Sequence, residues 1–181
     1  MMNIRTTSLN RRGIICILLT LSMLFCMTAC RAEVITMSPD QFLDRLNSLC
    51  ADDFGAVTKT ETIDAVTSLC QITERISLTL ISDSVTGLLQ RAELVLTFDP
   101  DMTDLDYSSF SYFFLVMLKA YDEKTSISNI NAVYDALGIS NYEPGIQTKI
   151  GYGSNTYFYN VTDTEARFSA LYIQPAETLD F

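Results

Sequence analysis

The chain has 181 residues, of which 48% are hydrophobic and 19% charged, with no His and no Trp. This length and composition fit one globular domain, or one domain with a targeting segment, and exclude a disordered chain. The 22 acidic residues outnumber the 12 basic ones, and the formal net charge of −10 disfavours a nucleic-acid partner, since phosphate binding needs clustered Lys and Arg. Without His, imidazole-based catalytic triads and most zinc sites are excluded.

Residues 1–29 have the layout of a secretory signal peptide. Three arginines, Arg5, Arg11 and Arg12, precede an uncharged stretch over 13–29 that is almost continuously apolar. A basic segment followed by a short apolar one is typical of signal peptides, whereas a transmembrane helix needs about 20 apolar residues. An uncleaved membrane anchor and an ordinary secretory signal cut nearby are the alternatives at this stage.

The junction Met27-Thr28-Ala29-Cys30 resembles the lipobox of bacterial lipoproteins, in which a small residue precedes a lipidated cysteine. The resemblance covers residues 1–30 and extends no further. It implies that Cys30 receives a diacylglyceryl group and becomes the first residue of the mature chain. Two acyl chains suffice for stable attachment, so the resemblance implies a lipid-anchored protein on the extracytoplasmic face of a bacterial cell membrane.

Cleavage at this junction changes the charge and the cysteine count. The removed segment carries three basic residues and no acid, so the mature charge becomes −13 rather than −10. Cys16 and Cys26 leave with the signal, which leaves Cys50 and Cys70 beside the lipidated Cys30. In an exported protein these two could form a disulfide that closes a loop of roughly 20 residues and contributes about 3 kcal/mol. The alternative is that each is a small buried hydrophobic residue.

The mature chain divides into a tether over 30–37 and an α+β domain over 38–181. Ser38, Pro39 and Gln41 form the pattern of a helix capping box, and Met37 and Phe42 that of a hydrophobic staple. Helical or alternating spacing of apolar residues then predicts the elements in chain order. They are a helix over 38–50, a polar loop over 51–65 (with or without one short helical turn), strands over 66–72, 75–82 and 88–98, helices over 104–122 and 129–137 (capped by Ser128 and ended by Gly138), and strands over 146–152, 156–161 and 167–173.

This αβββ–ααβββ order predicts a single α+β domain with a largely antiparallel sheet of about six strands and helices packed on one face. Gly151-Tyr152-Gly153 is interpreted as hairpin geometry, because no helix follows it to bind a phosphate.

The densest acidic stretch holds Asp99, Asp101, Asp104 and Asp106, which makes it a weak candidate for a divalent cation site. It lacks the spacing of an EF-hand, and the plainer interpretation is a strand-to-helix connection with Asp101 or Thr103 as the helix cap. We predict no cofactor and no assigned metal. A pair of carboxylates could support an envelope enzyme, with or without a divalent cation, but no pair stands out in an apolar setting.

Aromatic residues are dense in the last predicted strands. Tyr157 and Tyr159 share one strand face, opposite Phe158, so they form a ligand-contact face for protein or glycan if Phe158 points into the core. The alternative is ordinary cross-strand aromatic packing. The leading hypothesis is a non-enzymatic binding or interaction module of the cell envelope, and the competing one is the carboxylate enzyme.

Overall fold

The computed structural model describes residues 37–152 and 155–172, so the predicted signal peptide, Cys30 and most of the tether lie outside the described residues. Within this part, the first helix, α1, spans Pro39–Phe54 and begins with the predicted capping box. The Ser38 N–H donates to the Gln41 side chain at 2.9 Å, and the Gln41 N–H donates to Ser38 Oγ at 3.3 Å. Met37 and Phe42, the two staple positions, are both buried.

Four strands follow α1 as an antiparallel meander. They are β1 (Lys59–Thr62), β2 (Thr67–Gln71), β3 (Ile76–Ser82) and β4 (Leu89–Thr97). The last three agree with the predicted strands within two residues. The predicted loop over 51–65 was wrong where β1 forms, whereas the helical turn allowed within it is present as the last turn of α1, which continues to Phe54. Every residue of β1 is exposed, so no apolar alternation marks it, and pairing with β2 alone defines it.

Two helices then cross the sheet. They are α2 (Asp104–Tyr121) and α3 (Ile127–Leu137). The cap of α3 is Ser126, whose Oγ accepts the Asn129 N–H at 3.2 Å, and not Ser128 as predicted. The prediction began the helix at Asn129, next to its first buried residue, Ile130, and missed the two exposed residues before it. Gly138 ends α3 as predicted, with a left-handed φ of 70° that favours glycine.

Three final strands complete the sheet: β5 (Gln147–Tyr152), β6 (Asn155–Val161) and β7 (Glu165–Tyr172). The seven strands lie in the order β1-β2-β3-β4-β7-β6-β5, and every neighbouring pair is antiparallel. The predicted α+β class and antiparallel sheet are confirmed, with seven strands where about six were expected.

The core lies between the helices and one face of the sheet. Alternate residues of the central strands, such as Leu78, Leu94 and Phe168, point toward the helices and are essentially fully buried. The ring of Phe114 in α2 meets that of Phe168 in β7 at 4.5 Å between centroids. Because side chains alternate along a strand, the intervening residues lie on the opposite face, which we call the open face. No helix of the described residues packs on the open face.

Candidate interaction surface

The aromatic pair Tyr157 and Tyr159 does not form a ligand-contact face, because both side chains point into the core. Only 5% and 1% of these residues is exposed. Tyr157 stacks on Phe168 at 6.0 Å between ring centroids, and the Tyr159 hydroxyl donates to the backbone carbonyl of Asn141 at 3.0 Å. Burial raises the pKa of Tyr157 to about 12 and also raises that of Tyr159. The alternative, cross-strand aromatic packing, describes this pair.

Because side chains alternate along β6, Phe158 lies on the open face. Its cross-strand neighbour is Lys149 of β5, whose Nζ lies 5.2 Å from the centroid of the Phe158 ring. An ammonium group over an aromatic face is a favourable cation–π contact. The sequence does not reveal this pair, because alternation along the strand left open whether Phe158 or the two tyrosines face the core. The strand register brings the two residues together, and no sequence motif marks that register.

A charged network occupies the centre of the open face. Glu93 in β4 is only 5% exposed, and its carboxylate contacts both Arg91 and Arg167. The Arg167 bond is 2.9 Å long, and Ser169 Oγ donates to the same carboxylate at 3.1 Å. A buried carboxylate is costly unless it is paired and hydrogen-bonded, and here both conditions are met.

The network extends to the start of β7 through Arg167. Its Nε donates to Glu165 at 2.9 Å while its Nη1 reaches Glu93, so one guanidinium joins two carboxylates. Partial burial works against the charged form of Arg167, but hydrogen bonds and charge from Glu165 and Glu93 outweigh it and raise the pKa. Two arginines and two glutamates therefore balance each other within the face.

Apolar side chains surround the network. The strand register places these residues on the open face: Leu69, Ile81, Val95 and Leu171. Val95 is buried although no described helix covers it, and the other three are partly exposed. The aliphatic stems of neighbouring arginines can shield such positions while their charged groups stay in water. The open face thus combines apolar contacts, one aromatic ring and internally neutralised charge.

The acidic stretch serves the start of α2. Thr103 is the helix cap, as one of the two sequence alternatives held, and its N–H and Oγ1 both donate to the Asp106 carboxylate at 2.9 and 3.0 Å. Arg75 lies 3.7 Å from both Asp99 and Asp106. The backbone hydrogen bond from Thr103 is the largest contribution that lowers the pKa of Asp106. Among the described residues, no group of three potential ligands is placed to hold a metal ion.

Cys50 in α1 and Cys70 in β2 are both buried, and the structure does not join them by a disulfide. Burial raises the pKa of the Cys70 thiol to about 11, partly offset by the charge of Lys59. A thiol of that pKa is almost entirely protonated at neutral pH, which makes it a poor nucleophile. The disulfide in the exported protein stays a prediction.

No helix of the described residues is long and apolar enough to cross a membrane. In comparisons with models of protein families, with curated proteins and with solved structures, nothing matched this chain.

Proposed function

We propose that this protein is a lipid-anchored lipoprotein of the bacterial cell envelope, and that it acts as a non-enzymatic interaction module which binds a protein partner on its open face. The anchor rests on the lipobox-like junction that ends at Cys30. The interaction module rests on one observation, the buried Glu93 carboxylate neutralised by two arginines at the centre of a sheet face on which no described helix packs.

The composition of the open face favours a protein as the ligand. Protein interfaces are enriched in Arg and aromatic residues and depleted of uncompensated charge at their centres. Here Arg91 and Arg167 are neutralised by glutamates of the same face, so a partner need not supply opposing charge. Phe158 and Lys149 add an aromatic contact and one positive charge at the side of the network.

The competing carboxylate enzyme is less well supported by the acids that the structure describes. A general acid needs a raised pKa, but hydrogen bonds lower that of Asp106. Asp99 and Asp106 both pair with Arg75, and Asp106 also closes the cap of α2, so these contacts give the two acids a structural role. The interaction module is therefore the function that we carry forward.

Site-specific photo-crosslinking in cells tests the interaction. A crosslinking residue at Thr79, whose strand neighbour on the open face is Glu93, should capture one discrete protein. The matched control is Asn131, an exposed residue of α3 on the other side of the domain. Replacing Phe158 by Ser should reduce the Thr79 product at least about tenfold. Capture from Asn131 alone, or a Thr79 product unaffected by Phe158→Ser, would contradict the assignment.

The anchor has a separate test. Cys30→Ala should release the protein from the membrane fraction or leave an uncut precursor. A fully processed Cys30→Ala protein that remains in the membrane fraction would refute lipid anchoring at this residue.

A further inference from the structure

The two ends of the sheet differ in character, and the chain enters the domain at only one of them. The Leu89 N–H, at the start of β4, donates to the Met37 carbonyl at 2.8 Å, which fixes the beginning of the described chain beside the β3–β4 turn. The register places three other features at that end, which we call the tether end: the β1–β2 turn, the end of β5 and the C-terminal end of β7.

The turn from α2 to α3 also lies at the tether end. Arg45, in the second turn of α1, forms an ion pair with Glu123 at 3.2 Å. Phe42, in the first turn of α1, contacts the ring of Tyr121 at 5.7 Å. Since α1 starts at the tether end, the C-terminal end of α2 and the first turn of α3 lie there as well.

Exposed apolar side chains occur at four separate places on the tether end. Val85 at the tip of the β3–β4 turn is 90% exposed, Ile127 at the start of α3 is 75% exposed, and Ile63 after β1 is 56% exposed. Tyr152 at the end of β5 is 39% exposed. Single exposed apolar residues are ordinary, but these four all lie at the same end of the domain, spread from one edge of the sheet to the other.

Two acids in the turns of the tether end, Asp64 and Asp83, form hydrogen bonds within their own turns. The Asp83 carboxylate accepts the N–H groups of Val85 and Thr86, at 3.0 and 2.8 Å, which folds it back beneath the tip. The Asp64 carboxylate accepts the N–H groups of Val66 and Thr67 in the same way, both at 2.8 Å. Hydrogen bonding leaves the apolar side chains, rather than the carboxylates, at the tips of both turns.

The opposite end of the sheet is acidic. The β2–β3 turn, the β4–α2 connection and the β6–β7 turn all lie there, as the strand register requires. Its exposed acids are Glu74, Asp99, Asp101, Asp104 and Asp163. Leu105 at this end is also strongly exposed, but it stands beside Asp104. Because this end carries these acids, anionic headgroups would repel it.

We propose that the tether end faces the lipid bilayer and that Ile63, Val85, Ile127 and Tyr152 contact its surface. This orientation rests on the proposed lipid anchor at Cys30. Met37 lies seven positions after Cys30, and a fully extended chain over that distance spans at most about 24 Å. The anchor therefore holds the tether end close to the membrane, while the acidic end lies farther away by the length of β4, roughly 30 Å for its nine residues.

This orientation leaves the open face approximately perpendicular to the membrane, because the strands run from the tether end to the acidic end. A partner in the envelope could then reach the Glu93 network from the side. The apolar tips are too few and too separated to bind a membrane alone. They orient a domain that the acyl chains already hold there.

Fluorescence quenching on the lipidated full-length protein tests this orientation. The variants Val85→Cys and Leu105→Cys each provide an exposed thiol, whereas Cys50 and Cys70 are buried. Each is labelled with the same fluorophore and reconstituted into phosphatidylethanolamine–phosphatidylglycerol vesicles that contain nitroxide-labelled lipid. We expect lipid quenching at least about twofold stronger at position 85 than at 105, and the reverse order with aqueous iodide. Ile127→Cys serves as a second tether-end probe and should behave like Val85→Cys.

The outcomes separate the orientation from the anchor. Vesicle-bound protein with equal lipid quenching at both positions, or stronger quenching at 105, overturns the orientation but leaves the anchor intact. Failure of the processed protein to bind vesicles, or equal binding by Cys30→Ala, overturns the anchor and the orientation together.

Discussion

The charged network on the open face makes Glu93 more important to stability than its position outside the core suggests. Glu93→Gln keeps the side-chain volume and an acceptor for Ser169 but removes the charge that Arg91 and Arg167 share. Hydrogen bonds to charged groups contribute roughly 1.5–3 kcal/mol each. The two arginine side chains are 43% and 38% exposed and can turn toward water, which reduces the loss. We therefore expect the free energy of unfolding to fall by about 2 kcal/mol.

Equilibrium urea unfolding followed by far-UV circular dichroism measures this change. The matched control is Glu165→Gln, which removes a carboxylate of the same network from its more exposed end, where Glu165 contacts Arg167. We expect that control to cost less than about 1 kcal/mol. Equal losses in both variants, or greater stability of Glu93→Gln than of the wild type, would refute the idea that the buried carboxylate organises the face.

Three further predictions concern the rest of the domain. Ser126→Ala should lower the free energy of unfolding by about 1 kcal/mol, since Ser126 caps α3, whereas Ser128→Ala should change it little. Equal effects of the two substitutions in urea unfolding would contradict that cap. Asp106→Asn should have a lower free energy of unfolding than the wild type, by a constant amount from pH 7 to 5. This difference should close as the pH falls below the ordinary aspartate pKa of 3.8, because a pKa lowered in the folded state contributes stability above that pH. A difference in the free energy of unfolding that persists in acid would show a different cause. If the disulfide predicted for the exported protein forms, Cys50 and Cys70 should react with iodoacetamide in denaturant only after reduction. Labelling without reductant would contradict the disulfide and agree with the unbridged pair in the structure.

Local signals in the sequence determined most of the fold. The capping box at Ser38 and the terminal Gly138 are local hydrogen-bonding and backbone preferences, and both are confirmed. Strands β2, β3 and β4 carry apolar alternation and were predicted closely. Strand β1 was missed because Lys-Thr-Glu-Thr has no apolar face, and only its neighbour in the sheet makes it a strand.

The open face was not predictable in the same way. Glu93 and Arg167 are 74 positions apart, and their contact depends on β7 inserting between β4 and β6. Alternation of side chains along a strand predicts two faces, but it does not predict which face is buried when both carry aromatic residues. Phe158 lies between Tyr157 and Tyr159, so at least one aromatic ring would be buried whichever face of β6 pointed into the core. The helices packed on Phe168 decide the phase, since its cross-strand neighbour Tyr159 must share that face.

The most direct test of the account is the intact mass of the mature protein purified from bacterial membranes, together with its N-terminal peptide. We predict a chain that begins at Cys30 and carries a diacylglyceryl group on the cysteine sulfur. A mature chain that begins elsewhere, or one with an unmodified Cys30, would contradict the lipid anchor, on which both the proposed function and the membrane-facing end depend.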